Sequence, residues 1–170
     1  GGLLARDVGG PSVYPPQPEG LWDSPYSGER YVVSQGKDRY RRGIYTVAKR
    51  TAPYASFLAF DATSREQCTV RRSRTNTPLQ ALVLMNDPVY LEAAQGLANR
   101  MTSLEHGFRI VTSRKPTPAE RDRLEKAWET FRAKYDANPT LAAPLGGPEA
   151  AARTMLASLM LNLDEAINLP

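Results

Sequence analysis

"RRSRTNTPLQALVLMNDP", residues 71–88, decides how the rest of the chain is read. Three arginines within four residues run into Asn76-Thr77-Pro78, then an apolar segment, then Asn86-Asp87-Pro88. Thr77-Pro78-Leu79-Gln80 has the form of a capping box. The Thr hydroxyl takes the N–H three residues on, proline fills the first helical position where no donor is needed, and the Gln side chain reaches back to the cap. Leu79, Leu82, Val83 and Met85 then predict a helix that needs burial on nearly every side. Asp87-Pro88 restarts a helix with a fresh cap, and Val89, Ala93, Leu97 and Met101 recur at near-helical spacing. The stretch therefore reads as two capped helices behind a basic shoulder. Whether the shoulder serves a ligand stays open.

Downstream the pattern remains helical. Residues 104–113 carry Phe108, Ile110 and Val111. Thr117-Pro118-Ala119-Glu120 is a second capping box and opens an amphipathic helix to about Asp136, with Leu124, Ala127, Trp128, Phe131 and Tyr135 on its inner stripe. Asn138-Pro139 ends it. Gly147-Pro148 opens the last helix, with Met155, Leu156, Leu159, Met160, Leu163 and Ile167 predicted inward.

Upstream the composition changes. Residues 9–28 are rich in Pro, Gly and Ser, and Tyr14-Pro15-Pro16-Gln17-Pro18 is expected to be extended, since each proline ring fixes φ and removes a donor. Val13, Tyr14, Leu21 and Trp22 argue that this arm is docked, with Trp22 as its anchor. The runs 30–35, 43–51 and 54–60 favour short strands, paired in one or two hairpins or merely extended, and Pro53 interrupts any pairing. The expected fold is mainly α: a compact helical domain of about four to five helices with an extended Pro/Gly-rich N-terminal arm and short β or extended segments. One domain over 1–170 is expected, with the arm and short strands in 1–62 and the helical part in 75–170.

At 170 residues, 41% apolar and 24% charged, the chain has the composition of an ordinary globular domain. No apolar run approaches the ~20 residues that a membrane helix needs. "GGLLARDVGG" (1–10) reads as a helix end running into a glycine stop, so the chain is expected to be a fragment of a longer protein. The lone cysteine, Cys68, allows no internal disulfide and is expected to be a small buried packing residue. The lone histidine, His106, is expected at the surface or in packing. With no haem-attachment motif and no zinc-ligand spacing, no cofactor and no metal are expected in this fragment.

The net charge of +4 is concentrated: residues 29–74 sum to +7, while 1–28 sum to −2 and 75–170 to −1. A local basic segment suits an anionic partner. Its candidates are Arg39, Arg41 and Arg42, interleaved with Tyr40 and Tyr45, together with Arg65, Arg71, Arg72, Arg74 and Asn76. Arginine offers a planar fork to carboxylate, phosphate or sulfate, and tyrosine a stacking face. The same residues fit an internal network pairing with Asp61, Glu66 or Asp87, and that reading is preferred over the ligand surface. Carboxylate dyads such as Asp61 with Glu66, or Asp87 with Glu92, are weak candidates for hydrolysis because Asp87 is already explained as a cap. No catalytic residue is assigned.

The segments "GGPSVYPPQP" (9–18), "DRYRRGIYTVAKRTAPY" (38–54), "FDATSREQCTVRRSRTNTPLQALVLMNDPVYLEAA" (60–94) and "LNLDEAI" (161–167) together resemble the C-terminal domain of planctomycete cytochrome-c-associated proteins, domain-of-unknown-function family 1553. The resemblance implies a parent with a secretion signal, often a cytochrome c module, a second uncharacterised domain and then this one. Haem would be carried elsewhere, the setting would be extracytoplasmic, and the partners would be upstream domains of the same polypeptide. Ala166 stands where such sequences usually carry an aromatic residue. Three functions follow in order: a non-catalytic structural or interaction module; a binding module for an anionic ligand, such as an acidic or sulfated polysaccharide, through the Arg/Tyr segment; and a wall of an active site shared with upstream domains, with Arg65, Glu66, Arg72, Asn76 and Asp87 its first residues. Nucleic acid fits poorly with an extracytoplasmic setting.

Overall fold

A computed structural model describes residues 1–17, 20–22, 30–49, 51–63, 67–71, 73 and 75–167. It is mainly helical, with eight α-helices among the described residues: α1 (Ala55–Ala59), α2 (Pro78–Asn86), α3 (Pro88–Arg100), α4 (Leu104–Thr112), α5 (Pro118–Ala137), α6 (Pro139–Ala142), α7 (Pro148–Leu161) and α8 (Asp164–Ile167). Contacts along the chain cluster into two compact units, one of Leu3–Val83 and one of Leu84–Pro170 with Gly1–Gly2.

The Leu84–Pro170 unit is organised around α7, which packs on α3, α4 and α5. Alanines 151, 152 and 157 on α7 are fully buried, so neighbouring helix backbones can approach closely there. Leu156 and Met160 on the same helix meet Phe108 of α4, Leu124 of α5 and Met101 after α3, all nearly or fully buried. Gly107 sits against this cluster for a steric reason: a Cβ there would lie 2.9 Å from the Met101 sulfur and 3.2 Å from that of Met160.

The expected caps are present. Asp87 accepts the Val89 N–H at 2.9 Å. Thr117 and Glu120 form a complete capping box, with the Glu120 N–H on the Thr117 hydroxyl at 3.3 Å and the Thr117 N–H on the Glu120 carboxylate at 2.8 Å. Two predicted inward positions are instead open: Leu159 is 36% exposed and Ile167 40%. Leu159 lies off the α7 face that holds Leu156 and Met160. Ile167 belongs to a one-turn helix, α8, which has no buried residue.

The Leu3–Val83 unit is built differently. Its expected strands reduce, among the described residues, to two isolated parallel bridges, Ala5 with Arg41 and Val13 with Thr46. Gly36–Tyr40 and Gly43–Tyr45 are short 3-10 helices, and most of the 54–60 run is helix α1. The β-favouring side chains lose because the segments are too short and too often interrupted to form a ladder. The arm is docked as its apolar residues predicted. Val13 donates to the Tyr45 carbonyl at 2.8 Å and accepts from Val47 at 2.9 Å. Trp22 is 7% exposed and donates its indole N–H to the Ala52 carbonyl at 3.1 Å.

Helix α2 overturns a firmer expectation. Leu79, Leu82 and Met85 are 62%, 56% and 55% exposed, and the single buried residue of the helix is Gln80. Burial of a carboxamide is tolerable only when its groups are bonded, and here all are. Gln80 Oε1 accepts the Thr77 N–H at 2.9 Å, and Nε2 donates to the Ala59 carbonyl and to the Thr75 hydroxyl, both at 2.9 Å. Gln80 thus ties the end of α1, the 75–77 loop and the start of α2. Its inward orientation turns the leucines out.

Candidate functional site

The basic segment is the first candidate, and Arg41 with Tyr45 is its best-defined part. Extended backbone at Arg41 directs its guanidinium over the Tyr45 ring, 3.9 Å from the centroid. From there it donates to the carbonyls of Asp7, Gly9 and Pro11, the first at 3.2 Å and the last at 3.4 Å. The Tyr45 hydroxyl accepts the Gly9 N–H at 2.9 Å. Gly9 and Gly10, at φ of 80° and 94°, form a turn in a region that favours glycine, and its carbonyls converge on the one cation. Arg41 and Tyr45 therefore clasp the N-terminal arm.

Arg39 is partly buried with its guanidinium 5.8 Å from the Tyr40 ring centroid, and Arg42, Arg71 and Asn76 are exposed. Arg65, Arg72 and Arg74, like Glu66, lie outside the described residues. A cavity of about 370 Å³ in this unit is lined by Gly43, Ile44, Ser56, Phe57, Phe60, Ala62 and Thr63, with no described arginine in its wall.

Two of the carboxylates considered as weak dyad candidates have structural work. Asp61 accepts both the N–H and the hydroxyl of Thr75 at 2.8 Å, and Asp87 is the α3 cap. Cys68 is exposed, contrary to the expected packing role, and lies in an irregular segment. His106 is at the surface as expected, its Nδ1 accepting the Thr102 N–H at 3.2 Å. Among the described residues no group of three or more His, Cys, Asp or Glu side chains is placed to hold a metal ion. No helix among them is long and apolar enough to cross a membrane.

Two features were missed in the sequence. Arg114 spends all five donors: bidentate contacts to Glu120 (2.7 and 2.9 Å) and Glu165 (2.7 and 2.9 Å), plus the Lys115 carbonyl at 3.1 Å. The Arg114 hydrogen bonds, followed by those from Thr117, hold the Glu120 carboxyl down at about 2. This cluster joins the α4–α5 connection to α8.

The second feature is a cleft between α3 and α7 of about 510 Å³, walled by Gln95, Ala98 and Asn99 on one side and Glu149, Ala150, Arg153 and Thr154 on the other. A smaller pocket of about 190 Å³, lined by Met101, Leu104 and Trp128 among others, shares Glu149 and Arg153 with it. Arg153 Nη2 donates to the Ala98 and Met101 carbonyls at 3.0 and 2.6 Å, which fixes the guanidinium at the end of α3. The pairs Gln95/Asn99 and Glu149/Arg153 are each four residues apart, a spacing that puts both members on one helix face. That was the available signal.

Residues 1–128 match the family model described as PSD1, protein of unknown function (DUF1553). The chain belongs to that family. No curated protein sequence and no solved structure matches it.

Proposed function

We propose that this chain is a non-catalytic interaction module that docks on neighbouring domains of a larger polypeptide through the outer face of α2, and that carries no cofactor of its own. The observation that supports this reading is the reversed polarity of α2, with Gln80 inside and Leu79 and Leu82 outside. An apolar helix face turned to water costs hydrophobic free energy, and a partner that covers it recovers that cost. The extracytoplasmic setting and the haem-bearing neighbour are carried by the sequence resemblance alone. Arg41 and Tyr45 are committed to the arm, which lowers the standing of the anionic-ligand alternative at those two positions.

The test is a photo-crosslinking amino acid placed at position 79 in the complete natural polypeptide, with crosslinked peptides mapped by mass spectrometry. Crosslinks to segments outside residues 1–170 support the docking role. Crosslinks confined to residues 1–170 would show that α2 is covered by its own chain and would sink it.

A further inference from the structure

The α3–α7 cleft has a chemistry that the docking reading does not use. The side chains of Gln95 and Asn99 make no hydrogen bond to the described residues, although both line the cleft. Each carboxamide presents a donor and an acceptor side by side, the complement of the N–H and C=O that one residue of an extended chain turns to the same side. Four residues of helix advance ~6 Å. An extended chain repeats its same-facing peptide groups every two residues, ~6.6 Å. The two carboxamides can therefore address two successive same-facing residues of one extended strand, each through its N–H and C=O, without either helix moving.

The rest of the cleft extends that match. Arg153 is already immobilised by two carbonyls through Nη2, so its Nε and Nη1 donors, which have no hydrogen bond to the described residues, are available with little further ordering cost. The pocket beyond it, with Met101, Leu104 and Trp128 in its wall, is of a size for one apolar side chain. Glu149, 67% exposed and 3.5 Å from Arg132, keeps the charge of the cleft close to balanced, which disfavours a polyanion.

We propose that the α3–α7 cleft binds an extended peptide segment, with its backbone on Gln95 and Asn99, an acidic group on Arg153 and a neighbouring apolar side chain in the Met101/Leu104/Trp128 pocket. This is a second, separate interaction surface. It stands or falls independently of α2.

The test is an NMR titration of the ¹⁵N-labelled chain with the peptide acetyl-Ala-Asp-Ala-Leu-Ala-amide, following the side-chain amides of Gln95 and Asn99 and the Nε–H of Arg153. Sodium glucuronate and acetate serve as carboxylates without a peptide backbone. The expected result is saturable movement of all three signals with the peptide at millimolar concentration, and at least about tenfold weaker binding by the Gln95→Ala/Asn99→Ala variant. That variant removes no internal hydrogen bond, so its fold should persist even if an Arg153 variant loosens α3. Equal response to glucuronate or acetate would reduce the cleft to a simple carboxylate site and overturn the peptide reading. So would the absence of any shift with the peptide.

Discussion

The two units solve the same problem, satisfying backbone polar groups away from water, by opposite means. In the Leu84–Pro170 unit the helices bond their own backbones, the ends are capped by Ser103, Asp87 and Thr117, and side chains are left to fill the core. In the Leu3–Val83 unit the prolines cannot donate and no ladder forms among the described residues, so side chains supplement the few backbone bonds such as those of Val13. Trp22 donates to Ala52, Tyr54 to Pro16 at 3.1 Å, Tyr31 to Pro15, and Arg41 to three carbonyls of the arm. Tyr14, Trp22 and Tyr31 then pack edge to face on one another, with centroids 5.0 to 6.0 Å apart. At these positions the Arg and Tyr side chains help to hold an irregular stretch of chain together.

The comparison breaks first if the helical unit does not depend on its core. Phe108→Ala, at a residue 2% exposed, is expected to cost about 3–5 kcal/mol in urea unfolding. A loss below about 1 kcal/mol would mean that Phe108 is not packed as described.

The helical unit was largely legible in sequence because its signals are local. Thr117 to Glu120 and Asp87 to Val89 are fixed by spacing within a single turn, and Leu124 to Tyr135 by one helical period. The other unit was not, because its decisive contacts join residues far apart: Trp22 with Ala52, Arg41 with Gly9, Gln80 with Ala59. No period in the sequence announces that a glutamine rather than a leucine will face inward, since the choice depends on a carbonyl twenty-one residues away. The α3–α7 cleft was hidden for the same reason, although its two four-residue pairs were in plain view.

Gln80 therefore sharpens the contrast. Gln80→Ala removes the partner of the Ala59 carbonyl and of the Thr77 N–H, and is expected to cost about 1–3 kcal/mol even though it deletes little apolar surface. Leu79→Ala, on the outer face of the same helix, should stay within about 0.5 kcal/mol. A reversed order of the two in chemical denaturation would show that the helix is turned the other way.

A smaller effect is expected at a cap. Thr117→Ala leaves the Glu120 N–H without its hydroxyl acceptor and should lower stability by about 1 kcal/mol. Thr117→Ser keeps that acceptor, so its unfolding midpoint should lie close to the parent's and distinguish the cap from the lost methyl group.

The mildest test is by acid, because the Arg114 cluster is reached by solvent and screened by salt. Glu120 is held at about 2 in the folded chain, chiefly by its hydrogen bonds to Arg114, against 4.5 for an ordinary glutamate. A carboxyl depressed by folding binds fewer protons in the native state than in the unfolded one. Its contribution is therefore complete above 4.5 and lost as pH falls through about 2. The thermal midpoint of the parent chain should fall across that window more steeply than that of Glu120→Gln, which has no charge to lose there. Added salt should narrow the difference, whereas the Phe108→Ala deficit should respond far less to it. Equal slopes in parent and variant would mean that the five-donor clasp on Arg114 does not hold in solution, and that the helical unit relies on packing and caps alone where α8 meets the rest.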